Sequence, residues 1–267
     1  METFEFDDIV KLAISAGIEI MKIHDSSEGI IYSKKDDDSP LTKADEAAHE
    51  VIALELKNLT PSIPLVSEEG FHGDPMNSEY CWLVDPLDGT KEFIKRNGMF
   101  TVNIAFMQRY GRRWKPVWGV VHAPATGKIW TGGVDNPAIK LDGDISKPIS
   151  VQKEIPEVVK LVASGSHRGE KDESFAKSLG PHELIRMGSS LKVCSVADGS
   201  ANLYPRFGPT SCWDIAAAHA VVAAAGGSII GPDGEELDYD LVENVLNPFF
   251  MVTSTGHWNQ AWLRCQD

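Results

Sequence analysis

The sequence predicts a mixed α/β protein assembled from two different rhythms. Two amphipathic helical patterns and a run of strand patterns joined by short turns fill the first part of the chain, and strand and helix patterns alternate beyond about residue 153. Residues 1–153 are therefore expected to form an α+β half and residues 154–267 an α/β half. Neither an internal repeat nor a long linker is evident, which implies that the halves pack tightly on one another.

Residues 7–24 carry Ile9, Ala13, Ala16, Ile20 and Ile23 at helical spacing. A second amphipathic helix is expected over 43–59, opened by Thr42 as N-cap. "IPLVSEEG" reads as a buried strand ending at Glu68, and "CWLVD" as another ending at Asp85. Between Phe100 and Gly132 the runs "FTVNIAFM", "VWGVVHA" and "KIWTGG" are strand-like. Turn signals at Tyr110-Gly111 and Ala125-Thr126-Gly127 divide them into an antiparallel meander. In the second half "VVKLVAS", "HELIRMGS" and "ANLYPRF" read as strands, with helices at "DESFAKSLG" and "LKVCSVADG" between them. Asp214 is expected to open an Ala-rich helix that is apolar nearly all round and hence buried. "FFMVTS" is a late strand, and a short amphipathic helix follows it.

Composition narrows the function. With 25 basic and 39 acidic side chains the net charge is −14, so a nucleic acid polymer or an anionic membrane is not expected as a partner. A small anionic substrate would need a local cation or metal. The acidic start METFEFDDIV lacks the plan of a signal peptide, and the longest apolar stretch, interrupted by His219, is too short to span a bilayer. Cys81, Cys194, Cys212 and Cys265 show no paired spacing and are read as reduced thiols of a cytoplasmic protein. HExxH and GxxxxGK are absent. Asp85 and Asp88 are spaced by three, not by the two of the DxDxT phosphatases that pass through an aspartyl-phosphate.

The chemistry concentrates in "CWLVDPLDGTKEF". A strand ending at Asp85 and a tight turn returning Asp88 would bring two carboxylates together, which repel unless a cation lies between them or one keeps its proton. Oxygen ligands of this kind suit magnesium, and the Leu87 carbonyl lies between the two acids. Taken alone, Asp-x-x-Asp-Gly is equally an ordinary turn. Glu68 stands at another strand end, where the alternative is a solvated pair with Glu69. Asp214 and Asp45 are readable as helix caps, Asp45 as the acidic partner in a Thr42 capping box. Thr90 follows Gly89 where a helix entry would offer main-chain N–H groups to an anion, or is itself a cap. Together these residues supply a metal cluster, a phosphate seat and a hydroxyl beside it.

"SEE", "DPLDGT" and "WD" before an Ala-rich helix resemble the magnesium-dependent, lithium-sensitive phosphatases related to inositol monophosphatase, over nearly the whole chain. "DPLDGTKEFIKRNGMFTVNIA", "GSSLK" and "LYPRFGPTSCWD" look closest to the bacterial 3'(2'),5'-bisphosphate nucleotidases of sulfur assimilation. The resemblance implies a layered αβαβα sandwich, of the inositol monophosphatase and fructose-1,6-bisphosphatase type, with the site between the halves. It implies removal of the 3'-phosphate from adenosine 3',5'-bisphosphate by metal-activated water; an inositol or sugar monophosphate is the alternative substrate, and a non-catalytic nucleotide sensor a remoter one. One Mg2+ would lie on Glu68, Asp85 and the Leu87 carbonyl, a second on Asp85, Asp88 and Asp214, and Asp45 would help to hold a weaker third. Thr90, with Glu68 or Asp45, would activate the water. The reacting phosphate would sit against Glu68, Leu87, Asp88, Gly89, Thr90 and Asp214. His167, Ser189, Lys192 and Arg206 would receive the nucleotide, although a polar loop His, a Ser pair at a helix start and a snorkelling Lys account for the same positions. Homodimers are common among the relatives and some associate peripherally with the inner membrane, which the acidic N-terminus does not suggest here.

Overall fold

A computed structural model describes residues 4–26, 32–34, 40–164 and 169–266. Helix α1 (Phe6–His24) and helix α2 (Lys43–Leu59) flank an antiparallel pair, β1 (Tyr32–Lys34) and β2 (Pro40–Thr42). The α1 stripe is buried at Ile9, Ala13, Ala16 and Ile20, with Ile23 packed at its margin, as the helical spacing predicts. Next come β3 (Leu65–Ser67), β4 (Gly70–His72), β5 (Tyr80–Asp88), the short helix α3 (Thr90–Ile94), and then β6 (Thr101–Tyr110), β7 (Arg113–Ala123), β8 (Lys128–Gly133), β9 (Asn136–Asp142) and β10 (Ile145–Pro148). These strands make an eight-stranded sheet in the order β10-β9-β8-β7-β6-β5-β3-β4, antiparallel except where β3 runs parallel to β5.

The remaining elements are β11 (Val159–Ser164), α4 (Glu170–Ser178), β12 (His182–Met187), α5 (Leu191–Ala197), β13 (Leu203–Arg206), α6 (Cys212–Ala224), β14 (Ser228–Ile230), β15 (Phe250–Thr253) and α7 (Asn259–Leu263). Their strands form a mixed five-stranded sheet in the order β12-β11-β13-β15-β14.

Alternation along the strands sets the layers. Trp82, Val84, Ile104 and Phe106 face one way into a core with α1 and α2. Cys81, Leu83, Ala105 and Met107 face the other way, into a core shared with α5, α6 and one face of the small sheet. The far face of that sheet carries Leu161, Leu203 and Met251 against Phe175 of α4 and Trp262 of α7. Five layers result, α-β-α-β-α, as expected. Helix α6 is the central slab. A Cβ on Gly119 of β7 would overlap the Ala217 main chain, so small residues on both elements permit this close approach.

Three expectations need correction. The strand begun by "CWLVD" does not stop at Asp85 but continues to Asp88. Helix α6 starts at Cys212, two residues before Asp214. Strands β1, β2, β4, β9, β10 and β14 were not foreseen. Of these, β4 and β10 are the two edges of the large sheet, exposed at nearly every position, so no alternation of apolar residues marks them. Among the described residues no helix is long and apolar enough to cross a membrane, and the four cysteines are free.

Candidate active site

The site begins with a defect in a ladder. Residues three apart on a regular strand point to opposite faces. In β5, Asp85 pairs with Asn103 and Asp88 with Thr101, so Pro86 and Leu87 stand against the single residue Val102. This one-residue bulge restores parity and aims both carboxylates toward the face occupied by α6. Proline is tolerated there because a bulge needs no ladder donor. The bulge, not the tight turn the sequence suggested, brings Asp88 beside Asp85. One bond fixes its shape: the Leu87 N–H donates to Asp85 Oδ1 at 3.0 Å.

Helix α6 completes the cluster. Asp214 lies in its first turn, with Oδ2 accepting the Ser211 N–H at 2.9 Å. One oxygen each from Asp85, Asp88 and Asp214 lies within 4.8 Å of the others. Glu68 follows β3, its N–H donating to Val84 O at 3.1 Å, and its carboxyl hydrogen-bonds Asp85. Burial raises Asp85 well above the usual carboxylate range, and the charges of Glu68, Asp88 and Asp214 push the same way. Burial and then Asp88 raise Asp214 to about 8. Asp88 rises only to about 6, because Lys192 and the Ser190 N–H favour its charged form against burial. Carboxylates so unfavourably charged without a cation, and an all-oxygen donor set, fit a hard divalent ion.

On the other side of the strand end, Asp45 is buried at the start of α2. Its Oδ2 accepts from Thr42 N at 2.8 Å and from Thr42 Oγ1 at 2.6 Å. The same carboxylate reaches out of its capping box through Oδ1, which accepts from Thr90 Oγ1 at 3.2 Å, and Thr90 Oγ1 also lies 3.3 Å from Leu87 O. Gly89, at φ +92°, makes the corner into α3; a Cβ there would lie 3.0 Å from Met99 O.

A cleft of about 140 Å³ opens from the acids between α3 and the second half of the chain. Ser189, Lys192, Tyr204 and Arg206 line it, together with Lys91, Glu92 and Thr210. Lys192 is 9% exposed, and its ammonium donates to Ser189 O and sits 5.4 Å from the Tyr204 ring centre. It is therefore held and not snorkelling. The Arg206 guanidinium donates to Gly208 O and Pro209 O at 3.2 and 2.8 Å. Ser189 is in the left-handed region at φ +47°, and its buried Oγ has no hydrogen-bond partner among the described residues. His167 lies outside the described residues.

Of the residues singled out from the sequence, Asp88, Gly89, Ser189, Lys192, Arg206 and Asp214 line this cleft, and Asp85 joins them through the acid cluster; Glu68, Leu87, Thr90 and Asp45 contact one another or the aspartates without lining it. The sequence reading missed Thr101, Asn103, Ser190 and Tyr204. A signal existed for two of them: Thr101 and Asn103 are polar positions on a face otherwise continued by Ala105 and Met107, directly across the ladder from the two aspartates.

The chain can now be set beside known proteins. The profile of the inositol monophosphatase family matches residues 5–260. A Salmonella typhimurium protein named 3'(2'),5'-bisphosphate nucleotidase CysQ is 46% identical over 92% of this chain and 98% of its own length. Its namesake from Escherichia coli K12 is 45% identical over the same shares. The crystal structure of CysQ from Bacteroides thetaiotaomicron, described as a bacterial member of the inositol monophosphatase family, superposes with a TM-score of 0.78 at 39% identity, covering 91% of this chain and 94% of that one. The suhB protein of Bartonella henselae, at 22% identity, shares the fold with a TM-score of 0.81 over 98% of both chains. The layered fold, the acid cluster and this similarity along nearly the full length agree: the chain belongs to the inositol monophosphatase family.

Proposed function

We propose that the chain is a 3'(2'),5'-bisphosphate nucleotidase that removes the 3'-phosphate of adenosine 3',5'-bisphosphate with Mg2+. The observation that carries the reading is a cleft with acids at one end and Lys192 and Arg206 on its wall, in a chain 45–46% identical to proteins of that name. A substrate with two phosphates matches this polarity: one meets the acid cluster through a cation, the other meets the two basic side chains directly. A simple sugar monophosphate would leave Lys192 and Arg206 without an anion.

Glu68, Asp85 and the Leu87 carbonyl are assigned to one Mg2+, and Asp85, Asp88 and Asp214 to a second. A weaker third ion would be held with the help of Asp45. Bound Mg2+ supplies charge neutralisation at the phosphoryl oxygens and makes hydroxide accessible near neutral pH. The chain's own groups orient the attack. With its proton directed to Asp45 Oδ1, Thr90 Oγ1 presents lone pairs to a water and can accept a proton from it as its own passes to Asp45. Glu68, beside Asp85, is a second acceptor for the same water. Lys192 and Arg206, each already fixed by main-chain carbonyls, hold the phosphate that is not cleaved. Ser189 and His167 are assigned to the nucleoside. No covalent enzyme intermediate is required.

Phosphate release from a panel of substrates, with and without Mg2+, tests the assignment. Turnover of adenosine 3',5'-bisphosphate well above inositol 1-phosphate, abolished by chelation, is the expected result. Preference for the inositol phosphate would move the chain to the other branch of the family, and no turnover at all would leave a binding protein. Lys192→Ala and Arg206→Ala should raise KM for the bisphosphate much more than for a monophosphate, each contact being worth about 1.5–3 kcal/mol.

A further inference from the structure

Ser190 stands at the N-cap of α5, where a serine hydroxyl ordinarily accepts a main-chain N–H of the first turn. Here it makes no cap bond. Its Oγ instead lies 2.8 Å from Asn103 Oδ1 and 2.8 Å from Thr101 Oγ1, both on β6. Hydrogen bookkeeping orders the chain. The amide oxygen of Asn103 only accepts, so Ser190 donates to it and receives the Thr101 proton. With Oδ1 so occupied, Asn103 Nδ2 faces Asp88 Oδ2 and Asp214 O, each at 3.5 Å. The Ser190 main-chain N–H donates to the same Asp88 Oδ2 at 2.6 Å. Thr101, Asn103 and Ser190 are at most 2% exposed, so water does not replace a lost partner.

We infer that Ser190, clamped by Asn103 and Thr101, is a positioning residue for Asp88. Its N–H fixes one carboxylate oxygen, and thereby the orientation in which Asp88 meets a cation. The clamp also joins the acid cluster to the wall of the cleft, because Ser189 and Lys192 lie within two positions of Ser190. Without the hydroxyl, the segment 188–190 loses its tie to β6, and Asp88 gains freedom that cation binding must remove. The inference rests on Asp88 being a cation ligand, as proposed above.

Calorimetric titration of chelator-treated protein with Mg2+, in the presence of inorganic phosphate, tests this without reference to turnover. Ser190→Ala is expected to bind Mg2+ about 3- to 10-fold more weakly than wild type, part of the free energy of the two buried hydrogen bonds it removes. Isosteric Thr101→Val, which removes only the outer bond, should weaken binding about 2- to 5-fold on the same grounds, and Thr101→Ser should restore it. Circular dichroism of the metal-free variants should match wild type. A folded Ser190→Ala protein with wild-type Mg2+ affinity overturns the inference. If Ser190→Ala does not fold, the Thr101 pair decides: equal affinities for Thr101→Val and Thr101→Ser overturn it, and a loss restored by serine supports it. A wild-type protein that binds Mg2+ but does not hydrolyse the nucleotide would remove the functional assignment and leave this titration to decide the role of Ser190.

Discussion

Helices α2 and α6 open alike, each with an aspartate in the first turn whose carboxylate accepts the N-cap main-chain N–H: Asp45 after Thr42, and Asp214 after Ser211. Asp45 places its second oxygen on the Thr90 hydroxyl. Asp214 instead offers an oxygen to the cluster with Asp85 and Asp88. A carboxylate has two oxygens, so capping a helix and serving a site are not alternatives. What separates the two residues is what each helix faces. The start of α2 meets the hydroxyl of Thr90, the first residue of α3, and the start of α6 meets the carboxylates of Asp85 and Asp88 at the end of β5.

The comparison breaks first at Asp214. In Asp214→Asn the amide oxygen can still accept the Ser211 N–H, while the charge is lost. We expect kcat at saturating Mg2+ to fall at least a hundredfold, about 2.7 kcal/mol of barrier, with the fold retained. Asp85→Asn should likewise leave less than a tenth of wild-type activity, and relief of carboxylate repulsion should leave the metal-free protein as stable or more so. A loss smaller than tenfold at either position would show that its charge is not needed.

Asp45→Asn should cost less, about tenfold in kcat or ~1.4 kcal/mol. With its oxygen held by Thr42, the new amide turns its nitrogen toward Thr90, which must then accept instead of donate. Thr90→Val should give a similar loss, and the double variant little more than either single one, because both act on one hydrogen bond. Inhibition by Li+, steeper than by K+ at equal ionic strength, should also change in Asp45→Ala if Asp45 helps to hold the weakest cation. Indistinguishable Li+ and K+ titrations of the wild type would remove that third position.

Thr42→Ala separates capping from catalysis. It removes the bond that Thr42 Oγ1 accepts from the Ala44 N–H and the one it donates to Asp45 Oδ2. Thermal or urea unfolding should report a loss of about 1–2 kcal/mol. An unchanged midpoint would mean that packing alone holds the start of α2.

The last test is one of pH. Asp88 and Asp214 are raised to about 6 and 8 in the cation-free fold, so between pH 4 and pH 8 the folded chain binds more protons than the unfolded one. Stability without Mg2+ is then greatest below about pH 4 in these two groups and is lost as pH rises through 6 and 8. Melting temperatures of chelated protein should decline over that window, and added Mg2+ should raise them more at pH 8 than at pH 6. A Mg2+ effect that is equal at both values would contradict the coupling.

Much of this was legible because it is local. Helical spacing gave α1 and α2 within a residue or two, the Thr42-x-x-Asp45 spacing gave the capping box, and turn residues divided β6, β7 and β8. The acids of the site were named from "SEE", "DPLDGT" and "WD", since strand ends and helix starts are where side chains converge. Resemblance to known phosphatases supplied their partition among cations, and no spacing rule contains that.

Three features were decided only in the folded molecule. Asp-Pro-Leu-Asp places its acids three apart, the wrong parity for one strand face, and only pairing with β6 inserts the bulge that corrects it. Edge strands such as β10 are held by a neighbour's main chain, so their side chains carry no pattern. The Thr101–Ser190–Asn103 clamp joins residues 87 to 89 positions apart, and its members are ordinary polar residues until β6 and the start of α5 are brought together. The sequence by itself determined which short segments become helix or strand and which carboxylates lie at their ends, because those depend on neighbours along the chain. Which oxygen of each carboxylate is spent on the fold, and which is left for chemistry, was decided by contacts across the layers, because a buried polar group takes its role from whatever partner the tertiary structure places against it.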